Sequence, residues 1–146
     1  MNAADPQQVV LAARSWLGTP YHNQASVKGV GCDCLGLVRG VWREVVGVEA
    51  HKIPPYTPDW GETGTREIIA EESRRWLIEI SPREATMGDV LVFRVWPRGI
   101  AKHMGILTSH STFIHAYNRL GCIEQELGYW RRKVAFAFRY PAREEG

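Results

Sequence analysis

The sequence predicts an α+β fold, with helices in its first half and an antiparallel sheet in its second. Two observations carry this expectation. Apolar residues recur at helical spacing before residue 77, and from residue 87 they fall into short β-rich runs. Composition agrees: 146 residues, 45% apolar and 23% charged, suit one globular domain, taken here as 1–146, with its own core.

The first helix is expected at Asp5-Pro6-Gln7-Gln8, where Asp5 caps, Pro6 fits the first helical position and Gln8 completes a capping box. Val9, Val10, Ala13, Trp16 and Leu17 make its apolar face, and Gly18 with Thr19-Pro20 stops it. Tyr21 to Asp33 has no period and reads as a loop. A second helix starts at or near Cys34, with Val38, Val41, Trp42, Val45 and Val46 as its stripe and Gly47 as its stop. Gly36 and Gly40 lie one turn apart in it. Each weakens a helix by about 1 kcal/mol relative to Ala, so something is expected to pack closely on that face. Ile53-Pro54-Pro55-Tyr56-Thr57-Pro58-Asp59 is a stiff connector. Thr65 to Leu77 reads as a third helix. Strands are expected over Val90–Trp96, His103–Thr108, Thr112–Tyr117 and Val134–Tyr140, with a further one over Cys122–Leu127.

Several function classes are excluded early. A net charge of +2 is too small for a protein whose main partner is nucleic acid, although Arg131-Arg132-Lys133 makes a local basic patch. No apolar run is long enough to insert in a membrane, and the N-terminus lacks the pattern of a secretory signal. Three cysteines are too few for a disulfide scaffold and suggest synthesis in a reducing compartment, the cytoplasm.

Three segments carry chemistry: Gly31-Cys32-Asp33-Cys34-Leu35-Gly36-Leu37-Val38, His103-Met104-Gly105-Ile106 and Phe113-Ile114-His115-Ala116. A thiol nucleophile needs a lowered pKa, which a helix N-terminus favours, and Cys34 sits at one. It also needs an imidazole base and a group that orients that base. If Ser109-His110-Ser111 is a hairpin loop, opposed residue numbers sum to 220, and His103 and His115 become diagonal neighbours on one face. Such neighbours lie about 7–8 Å apart at the backbone. In that register His103 faces Tyr117 and His115 faces Gly105, which leaves room for the ring. A two-residue loop would instead send the histidines to opposite faces. Taken singly, Cys34 reads rather as a small core residue and each histidine as sheet surface; it is their combination that points to chemistry.

These segments resemble the NlpC/P60 family of papain-like cysteine peptidases: Asp-Cys-x-Gly-Leu-Val at Asp33–Val38, then His-x-Gly-Ile, then Ile-His-Ala. Trp16-Leu17-Gly18-Thr19-Pro20-Tyr21 is similar to that family's Trp-x-Gly-x-Pro-Tyr segment, and Met87-Gly88-Asp89-Val90-Leu91-Val92-Phe93 to its Pro-Gly-Asp-Leu-x-x-Phe strand. Asp-Cys-Leu-Gly-Leu and the Pro-Pro-Tyr-Thr-Pro-Asp-Trp connector most resemble the phage-tail and gene-transfer-agent branch of cell-wall peptidases. The resemblance implies Cys34 as nucleophile, His103 as base and His115 as the orienting residue, with the Cys34 N–H helping to hold the oxyanion. It implies that Tyr21 and Asp33 line the substrate site, Asp33 contacting a substrate amine or bracing the loop. Its substrate would be the peptide stem of peptidoglycan, at the bond between γ-D-Glu and a diamino acid. Two departures stand out: Leu35 replaces a common Ser, and His22-Asn23-Gln24-Ala25 replaces a Gly-Gly.

No metal or cofactor is expected, because Cys32-x-Cys34 is too tightly spaced for a usual zinc pair. Cys32 reads as a loop residue prone to oxidation, Cys122 as core, and His22, His51 and His110 as loop or surface. Trp60 and Trp96 are core or, alternatively, groove lining. A wall substrate and the missing export signal together imply delivery by a phage-like tail, with a tail or baseplate hub protein as partner. Two other readings stay open: a structural tail component with weak or vestigial activity, and an amidase or acyltransferase on the same scaffold.

Overall fold

The computed structural model describes residues 2–49 and 66–143. The connector Ile53–Asp59, His51 and Trp60 lie outside them. Helix α1 spans Pro6–Arg14, capped by Asp5, whose side chain accepts from the Gln7 N–H at 2.9 Å. It ends earlier than its apolar periodicity suggests. Leu17 is exposed, while Trp16 is buried from the turn that follows the helix.

Helix α2 spans Cys34–Val45, and its start is the expected one. The close packing implied by its glycines is present. A Cβ on Gly40 would overlap the Trp16 indole, and a Cβ on Gly36 would overlap the Ala25 carbonyl. Helix α3 covers Ile68–Trp76, inside the expected range, of which Thr65 is not described.

Short strands β1 (Ser26–Val27) and β2 (Gly31–Cys32) form a small hairpin in the segment read as loop. The main sheet comprises β3 (Ile78–Ile80), β4 (Val90–Phe93), β5 (His103–Leu107), β6 (Thr112–Tyr117), β7 (Gly121–Glu126) and β8 (Val134–Arg139). Its order is β3-β8-β4-β5-β6-β7, and every pairing is antiparallel. Strand β3 is too short to be legible beside α3. Strand β4 stops at Phe93 rather than Trp96, and its register with β8 shifts between Val92 and Phe93. Trp96 then opens a turn closed by Gly99 N–H donating to its carbonyl at 2.9 Å.

The two faces of the sheet bury different clusters. Val90, Val92, Met104, Ile106, Ile114 and Phe138 meet the helices in the larger core. Leu91, Phe93, Leu107, Phe113 and Ala137 form a smaller core on the opposite face, closed by Leu127 and Trp130. This alternation follows from the period of two along each strand.

Candidate active site

Asp33 organises the turn that presents Cys34. Its backbone is extended, and one side-chain oxygen accepts from the Gly36 N–H at 2.7 Å, which caps α2. The other accepts from the Gln24 N–H at 2.7 Å and holds Gln24 in the left-handed region at φ 66°. The carboxylate is buried, so of the two roles expected for Asp33 the geometry shows the loop brace. Ser26 Oγ adds a bond to the Gly36 carbonyl at 2.6 Å, fastening the loop to the first turn of α2.

The sulfur of Cys34 lies against the start of β5. It donates to the Lys102 carbonyl at 3.8 Å, and the backbone N–H groups of Met104, Leu35 and Cys34 itself face it. Lys102 and Met104 flank His103, so the thiol meets the chain on both sides of that histidine. The helix terminus does not make this thiol acidic, contrary to the sequence expectation. Burial, helped by the Asp33 charge, pushes the Cys34 pKa up to about 12 against the lowering by those three N–H groups. Tyr21, half-buried, bridges to Cys32. Its phenol is pushed up to about 12, first by burial and then by the Cys34 and Asp33 charges, so it remains a hydroxyl donor.

The β5–β6 hairpin has the expected register, with Ile106 opposite Ile114 and Leu107 opposite Phe113. His103 and His115 therefore share a face. His103 Nε2 and His115 Nδ1 are 2.7 Å apart, and the His103 and Tyr117 ring centroids 5.7 Å. The space at Gly105 serves a different ring than expected: a Cβ there would strike Phe113 at 2.7 Å, so Phe113 rather than His115 needs the glycine.

Two residues that sequence reading missed complete the site. Gln125 Oε1 lies 2.7 Å from His115 Nε2. Trp130, on the 3-10 turn Gly128–Lys133, places its ring centroid 5.1 Å from His103 and 5.3 Å from His115. The signal for Gln125 was present: β6 and β7 pair with numbers summing to 238, which puts Gln125 opposite Phe113 and diagonal to His115. Under these rings His115 is fully buried and His103 half-buried. Burial, with repulsion from His115, lowers the His103 pKa to about 3, and burial lowers that of His115 against the opposing pull of Gln125. Both imidazoles are therefore neutral at pH 7, as a base must be before it accepts a proton.

Cys32 is not a loop residue open to oxidants. It is fully buried on β2, and its sulfur contacts that of Cys122 at 3.2 Å. Burial and this contact raise its pKa, with the hydrogen bond to Cys122 the larger cause. His22 and His110 are exposed, as expected. Trp96 is 67% exposed, so it is not core.

A thiol at a helix N-terminus, packed on the backbone that flanks a strand histidine, with that histidine bonded to a second one, is a papain-like arrangement. The NlpC/P60 family model matches residues 18–139, and the chain belongs to that family. Among curated relatives, it is 28% identical over 130 residues to the murein DD-endopeptidase MepS/murein LD-carboxypeptidase of Escherichia coli K12, covering 88% of this chain and 59% of that protein. It is 28% identical over 141 residues to the gamma-DL-glutamyl hydrolase of Bacillus subtilis 168, covering 90% of this chain and 30% of that protein. The chain thus spans less than two thirds of the length of either relative. The crystal structure of the NlpC/p60 domain of peptidoglycan hydrolase SagA superposes with a TM-score of 0.62 at 23% identity, covering 92% of this chain and 97% of that one. An NlpC/P60 family protein from Bacillus cereus superposes at 0.66 with 17% identity, covering 94% of this chain and 41% of that one. Both structures share the fold.

Proposed function

We propose that this chain is a cysteine peptidase that hydrolyses the peptide stems of bacterial peptidoglycan. Cys34 is the nucleophile, His103 the general base and then acid, and His115 the residue that orients His103. The observation that carries the reading is the hydrogen-bonded histidine pair at 2.7 Å beside a thiol that touches the backbone on both sides of His103.

The resting pair is neutral, thiol and imidazole, because burial disfavours both charges. Attack and proton transfer are then coupled. As Cys34 Sγ bonds to the substrate carbonyl carbon, its proton passes to His103, on the Nδ1 that His115 leaves unoccupied. The carbonyl oxygen becomes an oxyanion near the Cys34 N–H at the head of α2, with the Tyr21 hydroxyl as a second donor. His103 next gives its proton to the leaving amine as the C–N bond breaks, leaving a thioester. Water, deprotonated by His103, attacks the thioester and restores the thiol as the acid product leaves.

The proposed bond is that between γ-D-Glu and a diamino acid, a reading supported by the family resemblance and by the name of the Bacillus subtilis relative. The proposed setting is a phage-like tail, where a hub or baseplate protein holds the chain and brings it to the wall. The wording Asp33-Cys34-Leu35-Gly36-Leu37 supports that placement. Incubating the chain and its Cys34→Ala variant with L-Ala-γ-D-Glu-meso-diaminopimelate-D-Ala tests the chemistry. Mass spectrometry is expected to find L-Ala-D-Glu and a diaminopimelate dipeptide with the unmutated chain alone. An intact substrate in both incubations counts against hydrolysis, and transfer of the acyl group to an added amine in place of water identifies an acyltransferase. Tail particles that never contain the chain would remove the hub assignment.

A further inference from the structure

We infer that Gln125 is a positioning residue whose amide oxygen decides which ring nitrogen carries the proton on His115 and, through it, on His103. The inference deepens the peptidase reading and depends on it only for the catalytic consequence.

The hydrogen-bond directions follow from donor inventory. An amide oxygen only accepts, so His115 Nε2, 2.7 Å from Gln125 Oε1, must carry the hydrogen. A neutral imidazole has one N–H, so His115 Nδ1 presents a lone pair. That lone pair faces His103 Nε2 at 2.7 Å, and His103 must therefore donate from Nε2. The remaining nitrogen of His103, Nδ1, is left as a lone pair, the form a base needs. Without an acceptor at position 125, His115 is free to carry its hydrogen on Nδ1 and donate to His103 Nε2. His103 would then hold its own hydrogen on Nδ1 and could not take one from a thiol there.

The surroundings hold Gln125 in place. Strand β7 pairs with β6 along its whole length, from Thr112 opposite Glu126 to Tyr117 opposite Gly121. The adjacent Glu124 is fastened to Arg14 of α1 by two bonds of 3.2 and 3.0 Å. Trp130 covers both imidazoles, so water is poorly placed to substitute for the amide oxygen.

Two-bond ¹H–¹⁵N spectra of the full chain with labelled histidines read the tautomers without substrate. The unmutated chain is expected to show both His103 and His115 with hydrogen on Nε2; hydrogen on Nδ1 of either ring overturns the inference. In Gln125→Leu, where a buried Nε2–H has no acceptor, His115 is expected to hold its hydrogen mainly on Nδ1, with kcat falling about tenfold or more as the competent tautomer becomes the minor form. KM should change little. Gln125→Glu, which supplies an acceptor and no donor, should restore the Nε2–H form and most of the activity. Unchanged tautomers in Gln125→Leu refute the role of the amide, as does a Glu variant as impaired as the Leu variant while its fold is intact. If the unmutated chain shows the expected tautomers but cleaves no stem peptide, the peptidase reading fails while the proton assignment stands.

Discussion

Replacing Asp33 separates the two tasks the structure gives this residue. Its carboxylate caps α2 through Gly36 and holds the Gln24 turn, each with a 2.7 Å bond. Loss of a helix cap costs about 1 kcal/mol. Loss of a hydrogen bond to a charged acceptor costs about 1.5–3 kcal/mol. Removing a buried carboxylate also relieves its desolvation, which offsets part of that sum. Asp33→Ala should therefore lower stability by roughly 2–3 kcal/mol, a large share of the 5–15 typical of a domain. Asp33→Asn keeps one acceptor oxygen and should lose about half as much by the same reckoning. The Asn variant has a second, opposite signature. The Asp33 charge raises the Cys34 pKa, so removing it should make the thiol more acidic even as the fold weakens. Urea unfolding followed by tryptophan fluorescence gives the first quantity, and the pH dependence of Cys34 alkylation gives the second. An Ala variant within about 0.5 kcal/mol of the parent, the usual range for a surface change, would refute the bracing role. A less acidic thiol in the Asn variant would refute the electrostatic one.

Other predictions follow from the same contacts. Gly40→Ala gains about 1 kcal/mol of helix propensity but meets the locked Trp16 ring, and overpacking of this kind costs roughly 1–3 kcal/mol. A net loss in urea midpoint is expected, and a gain would show that Trp16 yields. The acid limb of kcat/KM should lie well below pH 6.5, since His103 titrates at about 3; a limb between pH 6 and 7 would contradict its burial. Both histidines are depressed in the folded chain, so they contribute stability above pH 6.5 that is lost as pH falls toward 3. Cys34 is raised, so its contribution is present below the ordinary thiol pKa and declines as pH rises toward 12. Unfolding midpoints across that pH range check both signs. Iodoacetamide should modify Cys34 before Cys32 or Cys122, whose sulfurs are buried against each other; the reverse order, read by peptide mapping, would be inconsistent with the fold.

Much of the site was legible because short-range geometry determines it. The three-residue Ser109-His110-Ser111 loop sets the hairpin register, and the register alone places His103 and His115 together. Asp33 before Cys34 marks the helix start, and the glycine pair announces the close packing by Trp16 and Ala25. What escaped depends on tertiary burial. The helix dipole argued for an acidic Cys34, but packing against β5 outweighs it. Cys32 and Cys122 are 90 residues apart, and no local pattern joins their sulfurs. Gln125 lay within reach of the same register arithmetic, through the β6–β7 hairpin, but its own segment carries no motif to prompt it. Trp130 closes over the histidines from a 3-10 turn that has no sequence periodicity.

Cys34-dependent acyl transfer is tested most directly by the initial rate of stem-peptide cleavage, with the reaction quenched and the intact protein weighed. Product release is expected together with an acyl adduct that maps to Cys34, and neither in Cys34→Ala. Cleavage that continues in the Cys34→Ala variant at the parent rate would contradict it.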